Sequence, residues 1–348
     1  MKAHMFKRTL LALALLGSLI MQGSSTIARA DTLLACTQPT KAPKDLGTLV
    51  MAGQRAQLTS VEWGAQQGCF KKYGLEVKTT SIASSQIGIA GLVSETYDLT
   101  VTTPTNLILA MANGDFAGKI IAPRHGYTVA ELERAKREPL YPGELLLQTV
   151  VLVKKDSLIA SWKDLERRKI GIKSIKAADH AGVLLIMRSF GANTAKVEFL
   201  TMTDAQMAVA LDRGDIDAAV PSDPNASQMI LDGARVIGYP YAYYAEPGVA
   251  VAYISSQSIV SKKSAALRAF QKATLEINRL LNIPSNEASF RRTIAKVTGV
   301  SEEAAAIGRL PVMMETNITF SQIAYIPHQL KLLGFTKSRV NLAPVLFR

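Results

Sequence analysis

Cysteine and histidine are scarce in this chain of 348 residues, which holds two of the first and four of the second. Cys36 and Cys69 stand too far apart to make a thiolate metal site. His125, His180 and His328 show no metal spacing such as H-E-x-x-H. The G-x-S-x-G elbow of serine hydrolases, the phosphate-binding P-loop and the G-x-G-x-x-G dinucleotide fingerprint are also missing. The chain is therefore not expected to be an enzyme, nor to need a metal or a cofactor. Past the first 30 residues there is no uninterrupted apolar run of about eighteen residues, the length a membrane-spanning helix requires. No repeat at a solenoid period and no long low-complexity linker is found.

What the chain does have begins at its start. Lys2, Lys7 and Arg8 precede an apolar stretch over residues 10–20, and Ala28-Arg29-Ala30 follows. A basic leader, a short apolar core and an A-x-A site make a secretory signal peptide, with cleavage expected after Ala30. Leu33-Leu34-Ala35-Cys36 resembles a lipobox, although it lies beyond the apolar core and past Arg29 and Asp31, so lipid anchoring at Cys36 is the lesser expectation. Cys36 and Cys69 both fall in the exported part, where oxidation is permitted, and one disulfide between them is open.

The formal charge of +12 includes four basic residues of the leader, so the mature chain carries about +8. Those charges are interspersed with acids and form no nucleic-acid track. A positive field attracts anions without identifying one.

Strand and helix alternate along the mature chain. Strands are expected over residues 48–52, 76–82, 98–102, 119–122, 149–153, 170–173, 197–200, 217–220 and 249–254. Helices are expected over 58–68, from Ser84 or Ser85, from Pro104 to the glycine at 114, over 161–167 and 181–190, from Thr203, from Asp223-Pro224 to Gly233, and over 263–281. The best-specified helix follows Thr103, with an N-cap hydroxyl, proline at its first position and glycine past its end. Residues 124–148 read as a charged, partly helical excursion. Such alternation argues for parallel sheets covered by helices, an α/β class.

The blocks between these elements resemble a known family. Gly68-Cys69-Phe70-Lys71-Lys72-Tyr73-Gly74-Leu75-Glu76-Val77 is similar to the "GYF-x-x-x-GL-x-V" block of ABC-importer solute-binding proteins of the nitrate/sulfonate/taurine and thiamine-pyrimidine type. Glu95-Thr96-Tyr97-Asp98, the run from Lys155 through Asp164-Leu165 to Lys169-Ile170-Gly171-Ile172, and Ala210-Leu211-Asp212-Arg213-Gly214-Asp215-Ile216-Asp217-Ala218 resemble later blocks in order and spacing. Cys69 stands where the family has an aromatic, and Arg168 where it has glycine. The resemblance implies a type II periplasmic-binding fold: two lobes with mostly parallel sheets flanked by helices and a two-crossing hinge. Lobe 1 is expected over residues 44–148 and again over 249–348, with lobe 2 over 149–248.

It further implies a periplasmic monomer that closes over a small-molecule ligand and delivers it to an ABC permease, with no part played by nucleic acid. A ligand-sensing subunit of a signalling receptor is the alternative, and a small-molecule enzyme on the same fold a remoter one.

In open α/β sheets the crevice lies beyond the carboxyl ends of the strands, where loops lead into helix N-termini. Ser84, Ser85, Thr103, Thr105 and Asn106 form a polar cradle there for a carboxylate or sulfonate, although each is also of a kind that ordinarily caps helices. Arg55 suits a bidentate oxyanion contact or a solvated surface. Lys173 and Ser174 are placed to close over ligand from lobe 2. Asp223 caps a helix or accepts from a ligand amine, and Tyr253 offers a stacking surface. Ligand charge reads as anionic, with a neutral or cationic heterocycle left open.

Overall fold

The structure, a computed structural model, describes residues 35–114, 116–138, 145–337 and 340–348. The expected signal peptide and residues 139–144 of the charged excursion lie outside them. In chain order the strands are β1 (Thr48–Gly53), β2 (Glu76–Ser81), β3 (Leu99–Thr102), β4 (Gly118–Tyr127), β5 (Val151–Val153), β6 (Lys169–Ile172), β7 (Glu198–Thr201), β8 (Ala218–Ala219), β9 (Arg235–Gly238), β10 (Gly248–Ser256) and β11 (Val312–Met313). The helices are α1 (Arg55–Gln66), α2 (Ser85–Val93), α3 (Pro104–Ala112), α4 (Val129–Arg137), α5 (Ala178–Ser189), α6 (Asp204–Arg213), α7 (Asn225–Leu231), α8 (Tyr241–Tyr244), α9 (Gln257–Leu281), α10 (Glu287–Thr298), α11 (Glu302–Ile307) and α12 (Ile326–Leu332).

Two sheets organise the chain. The first has the order β11-β4-β10-β3-β1-β2 and the second β7-β6-β8-β5-β9. The sheets are mixed, which corrects the expectation of mostly parallel pairing. β1 pairs in parallel with β2 and β3, but β10 returns from the second sheet and enters the first antiparallel between β3 and β4. In the second sheet β6 is parallel to β7 and β8, whereas β5 pairs antiparallel with β8 and β9. A strand that arrives directly from the other sheet needs no crossover helix, so it is free to run antiparallel. The chain passes between the sheets after β4 and again before β10, the two crossings of the fold.

Local chemistry fixes the best-read elements. Thr103 caps α3, its Oγ1 accepting from Asn106 N at 3.2 Å, and Pro104 fills the first turn. Thr203 and Gln206 form a reciprocal capping box at α6, which ends on Gly214 at φ 80°. α9 begins six residues earlier than its apolar face predicts, and Lys263, where the expected helix starts, marks a kink. The excursion resolves into the end of β4 and α4, which Thr128 and Glu131 cap reciprocally. The helix expected over 161–167 is a short 3-10 turn, Trp162–Leu165, and the helix expected from Asp223-Pro224 starts at Asn225.

α1 packs on α9 and α10, and α9 lies against β4. Trp63, Phe270 and Phe290 are buried in that layer. Cys36 and Cys69 are joined by a disulfide, both sulfurs in the core, which ties the first described residues to the end of α1. A sulfur committed in this way is not free to carry a lipid thioether, so the lipobox reading of Cys36 is set aside. No helix among the described residues is long and apolar enough to cross a membrane.

Candidate functional site

Between the two sheets lies a cavity of about 110 Å3. The first sheet and its helices contribute Gln54, Ala56, Gln57 and Thr59 at the start of α1, Ser85, Thr103, Asn106 and the end of β4. The second contributes Lys173, Ser174, Asp179 and Asp223, and the segment after α11 covers one side.

The central cation is Arg124, and the strand itself delivers it. Along β10, Val251 pairs with His125 and Ala252 with Pro123, so Arg124 is the extra residue of a β-bulge. A bulge bends its strand and re-aims a side chain, and Pro123 has no N–H to give the ladder. The carbonyls loosened here are taken up by Asn278, fully buried on α9, whose Nδ2 donates to Pro123 O and Arg124 O, each at 3.1 Å.

Arg124 is 5% exposed. Its Nε donates to Ser60 Oγ at 3.2 Å, and its Nη2 to Ala56 O and Thr59 Oγ1, each at 3.1 Å. Its Nη1 lies 2.6 Å from His125 Nδ1. A guanidinium has no lone pair to accept with, so Nδ1 accepts and the imidazole proton sits on Nε2. Burial, and then the charge of Arg124, hold the His125 imidazole well below its usual range, which keeps it neutral. Burial likewise lowers the Arg124 guanidinium. Among the described residues no carboxylate forms an ion pair with Arg124.

The second wall is softer. Lys173 donates through Nζ to Ser222 Oγ, and its backbone N–H donates to Asp179 Oδ2 at 2.9 Å. Ser174 Oγ reaches across to Gln86 Oε1 on α2 at 2.8 Å. Asp223 Oδ1 accepts from Ser227 Oγ at 2.6 Å, and burial pushes its carboxyl up to about 6 against the hydrogen bonds of Ser227 and the Arg309 backbone. A Cβ at Gly308 would come 2.8 Å from Asp223 Oδ2, so the chain after α11 passes this carboxylate only as glycine without displacing it.

Of the residues singled out from sequence, Ser85, Thr103, Asn106, Lys173, Ser174 and Asp223 line the cavity. The other four do not. Arg55 is exposed at the first turn of α1, and Ser84, at the N-cap of α2, does not reach the lining. Thr105 is buried against Tyr244, with which it shares a hydrogen bond. Tyr253 is part of the core, its ring edge-on to Phe270 at 5.2 Å and its hydroxyl 2.8 Å from Ser60 Oγ. It therefore supports, one layer back, the serine that holds Arg124. From sequence alone the strand ends before Pro123, which leaves Arg124 outside the candidate site. The one available signal was an arginine directly after a proline in a chain already turning apolar to polar.

The fold is that of the periplasmic binding proteins. The sequence of residues 147–278 matches the family model described as NMT1/THI5 like, while no curated protein matches the chain. In structure the chain is similar to the alkanesulfonate-binding protein SsuA from Xanthomonas axonopodis pv. citri bound to MOPS, with 17% identity, TM-score 0.67, and coverage of 90% of this chain and 100% of that one. It is also similar to the periplasmic nitrate-binding protein NrtA from Synechocystis PCC 6803, with 12% identity, TM-score 0.65, and coverage of 85% and 84%. The Candida albicans CA3427 gene product, described as having the generic periplasmic binding protein fold, aligns with 14% identity, TM-score 0.63, and coverage of 86% and 96%.

Proposed function

We propose that this protein is the solute-binding component of an ABC importer, exported through a cleaved signal peptide. It captures a small organic anion, sulfonate- or carboxylate-like, between lobe 1 (residues 44–148 and 249–348) and lobe 2 (149–248). The observation that carries the reading is Arg124: a buried guanidinium without an acid partner among the described residues, lining a cavity between the two sheets. A buried charge is costly unless it is paired, and a ligand's anionic group supplies the pair. Closure then follows from the ligand, because only the closed arrangement brings Lys173 and Ser174 to the cavity that holds Arg124.

The hydrogen bond between Lys173 and Ser222 is the arrangement a catalytic reading would use, as a hydroxyl beside its base. One experiment separates the two. The purified protein is screened by thermal shift against sulfonates, carboxylates, nitrate and pyrimidines, and the ligand is recovered and analysed afterwards. A saturable rise in melting temperature with anions, with ligand recovered unchanged, is the expected result. Stabilisation by pyrimidines alone would overturn the anion assignment, and recovery of an altered compound would overturn the binding-protein reading.

A further inference from the structure

Three residues that line the same cavity as Arg124 carry buried amide oxygens without partners. Gln57 Oε1 on α1, Asn106 Oδ1 on α3 and Gln148 Oε1 at the first crossing are each shielded from solvent and have no hydrogen-bond partner among the described residues. Buried polar atoms in native proteins are nearly always paired, and an acceptor left alone carries its full desolvation cost. Their convergence from three separate elements on one space makes them a recognition feature. One end of the Asn106 amide is anchored from within, its Nδ2 lying 2.9 Å from Thr102 Oγ1, and the oxygen is the end without a partner.

Acceptors and a cation ask for different groups on the same occupant. Arg124 calls for negative charge, whereas amide oxygens offer nothing to an anion and bind only N–H or O–H donors. Asp179 and Asp223, which line the opposite wall, add to the acceptor side. We propose that the occupant is an organic anion that also carries amine or hydroxyl donors, its anionic group set against Arg124 and its donors against Gln57, Asn106 and Gln148. The proposal rests on the anion reading given above. It excludes a bare inorganic anion and a plain alkyl acid as the preferred ligand.

Matched pairs test it by calorimetry on the full mature protein: ethanesulfonate against 2-hydroxyethanesulfonate and 2-aminoethanesulfonate, and propanoate against 2-hydroxypropanoate. The donor-bearing member of at least one pair is expected to bind about tenfold or more tightly, since a site built to pair a donor rejects the analogue lacking it. That ratio should fall toward one in Gln148→Met and in Asn106→Leu, with Gln57→Met as a third variant should either fail to fold. Equal binding within all three pairs overturns the proposal and leaves the anion reading standing. So does selectivity that survives all three substitutions. If none of the anions binds while neutral or cationic compounds do, the anion reading falls and the proposal with it.

Discussion

On the first-lobe wall of the cavity, Arg124 is 5% exposed and gripped by four partners from α1 and its own strand. On the opposite wall, half-buried Lys173 is held through its Nζ by one serine, Asp223 by Ser227 and the Arg309 backbone, and Ser174 bonds to Gln86 across the cavity. The contrast is one of cost and timing. Every one of these partners lies on α1 or β4, so Arg124 is oriented without help from the second sheet and its wall is organised for an anion in advance. On the closure proposed above, the second wall gains its geometry when the lobes come together. The first wall should therefore set affinity, and the second the stability of the closed form.

The sharpest way to break this comparison is Arg124→Met. Truncating one partner of a buried charge pair typically costs about 2–5 kcal/mol of binding, roughly thirtyfold to a few thousandfold in affinity. Calorimetry with whichever anion the screen selects should show a loss in that range. Folding should change little, because relief of a lone buried cation is offset by the donor that Ala56 O and His125 Nδ1 lose. Weaker binding with an unchanged or higher melting temperature would mark Arg124 as recognition. A loss of both would make it a structural residue and erase the contrast between the walls.

Asp223 sharpens the comparison from the second wall. Its carboxyl stands at about 6 in the folded chain against an ordinary 3.8. The folded state thus holds the proton more tightly than the unfolded one. The resulting stability is fully present below pH 3.8 and is lost as the pH rises from there to about 6, an amount of about 3 kcal/mol. His180 runs opposite. Burial holds it at about 4 against 6.5, so its contribution is present above pH 6.5 and is lost as the pH falls toward 4. Only a difference isolates Asp223. Urea unfolding at pH 4, 5, 6 and 7 should show that Asp223→Asn gains on the parent across this window by about 3 kcal/mol, whatever fixed cost the substitution carries. Parallel pH profiles would mean that Asp223 is not buried in the way the second wall requires.

The same contrast explains what could be read from sequence. α3 and α6 were legible because their ends are specified locally, by Thr103 with Pro104 and by Thr203 with Gln206. The alternation of strands and helices gave the class, and helix starts after strands gave the rim where Ser85, Thr103, Lys173 and Asp223 lie. Arg124 was not legible, because its position depends on a bulge set by the register of β4 against β10, whose partners lie more than a hundred residues away. Arg55 has the sequence position of a loop residue after β1, but α1 begins at that residue and turns the side chain outward. Tyr253 has the chemistry of a stacking surface for ligand, yet β10 runs inside the first sheet and buries it. The mixed pairing of both sheets was hidden for a related reason: strand direction is decided by which lobe the chain comes from, and alternation does not record that.

The smallest expected effect tests the second wall as a closing device. Ser174 Oγ donates to Gln86 Oε1 across the cleft, a neutral hydrogen bond of the kind worth about 0.5–1.5 kcal/mol. Ser174→Ala should therefore weaken ligand affinity by only about two- to tenfold. The change should fall on the dissociation rate, since a bond made between the lobes is absent from the open form that ligand enters. Gln86→Ala should do the same, and the double variant should be no worse than either single one, because both remove one interaction. Stopped-flow release of the bound anion from the three variants measures this. Additive losses would show that Ser174 and Gln86 each touch ligand on their own account, and the second wall would then share in recognition with the first.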